Sequence, residues 1–159
     1  MKILLNFLLL APLLLLLASC ADSAQDDGLK AARLAMQSGI QNEPPGDYFI
    51  GRRLYKKDYK FWGYVRQPGQ PWTTAKLVML NEQQKLAPDR ALNQIGSDNN
   101  YEYKLYGHYS GETVYEPASN GFYPEFVLTG YELESVSPAP IFHTAAAVDP
   151  ARRVIGSPY

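Results

Sequence analysis

Apolar residues follow three different rhythms along this chain. From Ile3 to Leu17 they are continuous, broken only by Asn6 and Pro12. Leu29, Ala32, Leu34, Ala35 and Met36 then recur at a spacing that suits a short helix from Asp27 or Gly28 to Ser38, with Gly39 placed to close it in a left-handed conformation. Asn42-Glu43-Pro44-Pro45-Gly46-Asp47 breaks the chain sharply. From Tyr48 onward, short aromatic and β-branched runs alternate with turn residues, the rhythm of strands. Strands are predicted at Tyr48 to Tyr55, Lys60 to Arg66, Ala75 to Asn81, Tyr101 to Ser110, Thr113 to Tyr115 and Glu125 to Ser135. Turns fall at Lys57-Asp58, Gln67 to Pro71, Ser110-Gly111 and Ser119-Asn120-Gly121, and one short helix is expected near Pro88 to Gln94, opened by its proline.

Gly51, Gly63, Gly107 and Gly130 each interrupt a strand-like run. Glycine weakens a strand unless it marks a bulge, a bend or a close backbone approach. Repeated bends curl a short sheet until it closes. The expected fold is therefore mainly β, a small curled and largely antiparallel barrel, with one short N-terminal helix and one short helix between strands. Ser137-Pro138-Ala139-Pro140 ends the sheet, and the residues that follow carry little periodicity. They either drape over the barrel or stay disordered.

The span from about 60 to 135 resembles the OB-fold: about five strands, glycines midway along them, a helix between the third and fourth, and a closing strand of the type Phe126 to Glu134. The resemblance is architectural and has no signature motif. SH3-like barrels and sandwiches fit the same pattern.

The first rhythm has a different meaning. Met1-Lys2, an apolar run of about 15 residues and the small pair Ala18-Ser19 form the three-part layout of a secretory leader. The run is short of the roughly 20 residues a spanning helix needs. Leu17-Ala18-Ser19-Cys20 resembles the lipobox of bacterial lipoproteins. That resemblance implies a diacylglyceryl group on the Cys20 thiol, cleavage just before it, and often acylation of the new amine. Stable attachment implies two or three acyl chains, because each buried CH₂ contributes only ~0.8 kcal/mol. An aspartate directly after the cysteine retains such proteins at the inner membrane; here Ala21 holds that place. The resemblance thus favours the outer membrane, facing the periplasm. The expected organisation is a signal peptide at 1–19, a lipidated tether with a short helix at 20–46, a β-barrel at 47–136 and a C-terminal extension at 137–159.

Composition limits the chemistry. Cys20 is the one cysteine, so no intrachain disulfide can form. The 15 Lys and Arg against 16 Asp and Glu imply no partner from net charge. Their distribution is uneven. Arg52, Arg53, Lys56, Lys57, Lys60, Arg66 and Lys76 form a basic stretch holding one acid, Asp58. Asp98, Glu102, Glu112, Glu116, Glu125, Glu132 and Glu134 form an acidic stretch holding one base, Lys104.

Little in the chain suggests catalysis. Two scattered histidines, His108 and His143, supply neither a nucleophilic triad nor a metal cluster. Asp98-Asn99-Asn100 lacks the glycine and later acid of a calcium loop and reads as a turn. Glu132 and Glu134 point to one side of a strand, the solvent side, with Tyr131 and Leu133 on the core side. No enzyme activity, cofactor or metal is expected. The best binding signal is the interleaving of aromatic and basic residues, with Arg52, Arg53, Lys56, Lys57, Lys60, Trp62, Tyr64 and Trp72 as candidate ligand-binding residues. In a cytoplasmic protein this would suggest single-stranded nucleic acid; behind a lipobox no nucleic acid is expected. Two readings remain. The band binds an envelope glycan or anionic ligand, or its bases pair with acidic strands of the same barrel while the aromatics fill the core. The segment from Tyr115 to Pro124 is expected to be a long aromatic loop. The sequence thus predicts a membrane-anchored, non-catalytic barrel acting as a protein-interaction or structural module of the envelope, or alternatively binding an envelope glycan or anionic ligand.

Overall fold

A computed structural model describes residues 27–159. The expected leader, Cys20 and the first residues of the expected tether, up to position 26, lie outside the described residues. The chain divides into two compact units, and the second, Gln37–Tyr159, holds every strand that the structure describes. Residues 27–41 are helical (α1). The helix runs through Gly39 rather than ending there. It stops instead at Asn42, whose side-chain amide donates to the Ser38 carbonyl at 3.0 Å, just before the two prolines.

Five strands follow: β1 Phe49–Arg53, β2 Gly63–Arg66, β3 Lys76–Asn81, β4 Glu102–Glu116 and β5 Gly121–Ser135. A short helix, α2, spans Pro88–Ala91 between β3 and β4. The sheet closes on itself in the order β1-β2-β3-β5-β4. Four of the pairings are antiparallel; the closing one is parallel, with Met79 opposite Glu125 and Asn81 opposite Val127. The fold is the small, mainly β barrel that the strand and glycine pattern predicts, with this one parallel seam.

Inside the barrel, Trp62, Val65, Val78, Tyr103, Leu105, Phe126 and Leu128 form the core. Phe49, Tyr109 and Phe126 meet edge to face at 5.1–5.6 Å between ring centroids, and each such pair adds about 0.5–1.5 kcal/mol beyond the area it buries. Gly107 sits at a register shift with φ of +147°, and a Cβ there would lie 2.0 Å from the Val127 carbonyl oxygen. Only glycine lets the two long strands cross so closely. Gly130 marks no such approach: an added Cβ would meet nothing nearer than Tyr106 at 3.4 Å.

Two further elements differ from the sequence expectation. Ser110-Gly111 does not end a strand, because β4 continues through an irregularity between Tyr109 and Thr113 and keeps its pairing with β5. The expected long loop contracts to a turn at Pro117–Asn120, joining strands of 15 residues each. The buried Glu116 side chain organises that turn by accepting the backbone N–H groups of Ala118 and Ser119. Burial acts to raise its pKa, but the Ser119 hydroxyl and the N–H groups of Ser119, Ala118 and Lys60 hold it below the ordinary value.

The C-terminal extension is ordered and lies over the outer face of β1 and β2. Ile141, Phe142 and Ala147 are buried there. Tyr64 donates to the Gly156 carbonyl at 2.7 Å, and its ring meets Phe142 at 5.8 Å. With core on one side and this segment on the other, β1 and β2 are buried on both faces.

Candidate functional site

Alternation along β1 sends Arg52 and Arg53 to opposite faces, and this splits the eight candidate residues. Arg53, Lys57, Lys60 and Trp62 line one cleft. Arg52, Lys56, Tyr64 and Trp72 lie apart from it and are buried, with exposures of 1, 1, 6 and 1%. The bases and rings therefore form no continuous surface band.

The buried group is paired within the protein. Arg52 stands opposite Glu102 in the β1–β4 register and meets its carboxylate at 2.6 Å. Arg66 forms a fork with Glu43 at 2.5 and 2.7 Å. Both guanidinium groups also lie on the Trp72 ring, at 5.3 Å for Arg52 and 4.6 Å for Arg66. Lys56 donates to the carbonyls of Ala146 and Asp149 in the C-terminal extension, at 3.4 and 2.9 Å. Burial lowers its pKa, partly offset by the Asp149 charge. Intramolecular pairing thus accounts for this half of the basic stretch, but only Arg52–Glu102 joins two strands. The other paired acid, Glu43, comes from the loop after α1.

Arg53 points inward. It meets Asp89 of α2 at 3.0 Å and Asp98 at 3.3 Å, and a further N–H donates to the Trp62 carbonyl. Tyr103 donates its hydroxyl to Asp98 at 3.1 Å. Two buried carboxylates therefore share one guanidinium. Burial acts to raise Asp89, but Arg53 and the N–H groups of Gly96 and Arg90 outweigh it and hold the carboxyl below its usual range. Burial dominates at Asp98 and raises it; Arg53 offsets this in part, and the Asp89 charge adds to the rise.

A pH dependence follows. A carboxyl whose folded pKa is raised favours the fold at low pH and loses that contribution as pH rises through the folded value. Asp98→Asn keeps an acceptor for Tyr103 and removes the second buried charge. Its melting temperature is expected to gain on the wild type as pH rises from about 4 toward neutrality. A difference that stays flat or shrinks over that range contradicts a raised Asp98.

The cleft opens beside this cluster, with a volume of about 510 Å³. The β1–β2 loop supplies Tyr55, Lys57, Tyr59 and Lys60, β3 supplies Met79 and Leu80, and Ala87 and α2 close the opposite side. Arg90 on that side is paired with Glu82 at 3.0 Å. Lys57 and Lys60 are exposed and have no carboxylate partner among the described residues. The sequence marked the two lysines. It gave no signal for α2 as the opposite wall, because that juxtaposition comes from barrel closure.

A second feature lies at the end of the β4–β5 hairpin. Tyr115 and Phe122 are directly opposite in register, 48 and 69% exposed, with ring centroids 5.2 Å apart. The Tyr115 hydroxyl donates to Asn120 Oδ1 at 2.9 Å, fixing the pair on the turn. On the other face Tyr123 packs on the buried Phe61 at 5.8 Å.

The remaining candidates are quieter. His108 is exposed on β4, and His143 lies against the Tyr159 ring at 4.8 Å. Glu132 and Glu134 are exposed and share Lys104 at 3.7 and 3.4 Å. Leu133 faces the core side, opposite Tyr103, yet at the barrel rim it stays 53% exposed. Asn99 binds the Tyr55 N–H and the Val148 carbonyl, so the 98–100 segment is a structural turn. Among the described residues no cluster of His, Cys, Asp and Glu would hold a metal, and no helix is long and apolar enough to cross a membrane. Neither a family model, nor a curated protein, nor a solved structure matches the chain.

Proposed function

We propose that the protein is a lipid-anchored component of a bacterial cell envelope, held at the outer membrane and facing the periplasm, whose barrel is a non-catalytic protein-interaction module. The leader and Leu17-Ala18-Ser19-Cys20 support the anchor. The strand order, with a helix between the third and fourth strands, supports an OB-like barrel. The observation that carries the interaction reading is the exposed Tyr115–Phe122 ring pair on a hairpin whose other face is pinned to the barrel. Adjacent aromatic side chains on a rigid support are the residues that dominate protein interfaces, because they bury much area and lose little conformational freedom.

A photo-crosslinking residue at position 122 in the full-length chain, expressed in its own envelope, tests this. One discrete protein adduct is expected, anchored to membranes through Cys20. Tyr115→Ser is expected to reduce that adduct about tenfold, the equivalent of ~1.4 kcal/mol, without lowering the melting temperature. Labelling at position 122 no stronger than at the exposed barrel position Thr129 would overturn the interaction reading. A Cys20→Ala chain that still sediments with membranes and still incorporates palmitate would overturn the anchor.

A further inference from the structure

We propose that the cleft between the β1–β2 loop and α2 is a binding site for a small anionic saccharide, a sugar ring bearing a carboxylate or a phosphate. This is a second site, separate from the hairpin rings and independent of them.

Size sets the first limit. A space of about 510 Å³ is within the roughly 300–1,000 Å³ of small-molecule sites. One or two sugar rings fit it; a folded partner does not enter.

Charge sets the second. Arg52, Arg53, Arg66, Arg90, Lys104 and Arg153 all face carboxylates of this chain within 3.7 Å. Arg53 at the cleft wall is thus taken up by Asp89 and Asp98, and Arg90 by Glu82. Lys57 and Lys60 are the cations of this cleft left without a carboxylate among the described residues, and both are exposed on the β1–β2 loop. Two unneutralised ammonium groups at one mouth attract a single anionic group, and a compact ammonium accepts carboxylate and phosphate alike.

The walls set the third. The Arg53 guanidinium lies over the Tyr55 ring at 5.4 Å, and Gly96 packs on the same ring so closely that a Cβ would sit 2.3 Å away. Tyr55 therefore does not offer an open face for stacking a broad aromatic ligand. Tyr59 is half-exposed and tilted against Phe61 at 5.2 Å, one small ring that suits the C–H face of a sugar. Trp62 is part of the same wall, but its indole N–H is buried and does not open to the cleft. Two unneutralised cations beside one small ring describe an acidic or phosphorylated sugar better than a nucleobase.

The test is calorimetric titration of the full chain in detergent micelles with glucuronate, glucose 6-phosphate, glucose, inorganic phosphate and a short single-stranded oligonucleotide. At least one of the two anionic sugars is expected to bind with a Kd at or below about 1 mM, at least about tenfold tighter than glucose and than phosphate alone, weakening as salt is raised. Which of the two binds tighter identifies carboxylate or phosphate as the source. Lys57→Gln with Lys60→Gln is expected to weaken binding about tenfold while leaving the melting temperature unchanged. Tyr59→Leu is expected to weaken it about threefold at constant salt slope. Binding of neither sugar overturns the site. So does glucose, phosphate or oligonucleotide binding as tightly as the anionic sugars, or a lysine pair whose neutralisation leaves affinity unchanged. None of these outcomes bears on the hairpin reading, which crosslinking at position 122 tests by itself.

Discussion

Arg53→Met is expected to destabilise the fold by about 3–5 kcal/mol, the usual result of removing one partner from a buried ionic cluster. For a domain of this size that lowers the melting temperature by about 10–20 °C. The loss comes less from the missing attraction than from what stays behind. Asp89 and Asp98 have side-chain exposures of 1 and 5%, and without the guanidinium two carboxylates remain in the interior with no countercharge. The Trp62 carbonyl also loses one of its two donors, keeping the Leu54 N–H. Restoring neutrality separates these causes: Arg53→Met combined with Asp89→Asn and Asp98→Asn is expected to regain a large share of the loss, since the uncompensated charges are gone. Thermal unfolding followed by circular dichroism at neutral pH measures both proteins. A single variant that melts within a few degrees of wild type shows that water reaches these carboxylates. A triple variant no better than the single one shows that the damage is packing and not charge.

The second large effect is expected from ending the chain after Ser137. This removes Ile141 and Phe142, at 0 and 6% exposure. Burying side chains of this type contributes about 1.5–3 kcal/mol each, so the shortened chain is expected to lose about 3–6 kcal/mol. One of the three acceptors of Arg52 and those of Lys56, Tyr59 and Tyr64 leave with it. Because total stability for a domain is about 5–15 kcal/mol, the shortened chain is expected to be partly unfolded at 37 °C. Phe142→Ala offers a milder form, expected to cost about 1.5–3 kcal/mol. Unchanged melting would mean that the extension only rests on the barrel.

The strands were readable in the sequence because each has its own local pattern, and tertiary structure added only their pairing. Phe126 and Leu128 alternate with outward residues and mark β5 at once. Ser110-Gly111 misled because a glycine in a bulge and a glycine in a turn have the same sequence signature. Pairing across the bulge is a property of both strands together. The basic stretch was harder to read. Arg52, Arg53 and Arg66 resemble a surface patch only until Glu102, Asp89, Asp98 and Glu43, lying 23 to 50 positions away, are brought beside them. No local spacing encodes those partnerships. The last residues gave no periodic signal because they pack through isolated contacts: one ring on Tyr64, a few carbonyls on Lys56 and Tyr64. The cleft was half legible: Lys57, Lys60 and their neighbouring rings stood out, while Met79, Ile95 and α2 entered only when the sheet closed.

The C-terminal extension also governs when the fold can be completed. Tyr64 and its acceptor at Gly156 are 92 positions apart, and Lys56 and Asp149 are 93 apart. The parallel seam joins residues 79–81 to 125–127. Contacts of such sequence separation must close long loops before they return any stabilisation, and proteins rich in them fold on the millisecond-to-second scale. A nascent chain therefore lacks the cover for β1 and β2 until its last tens of residues have emerged. Until then Tyr64 lacks both its acceptor at Gly156 and its packing against Phe142, and the outer face of the first two strands stays open to water.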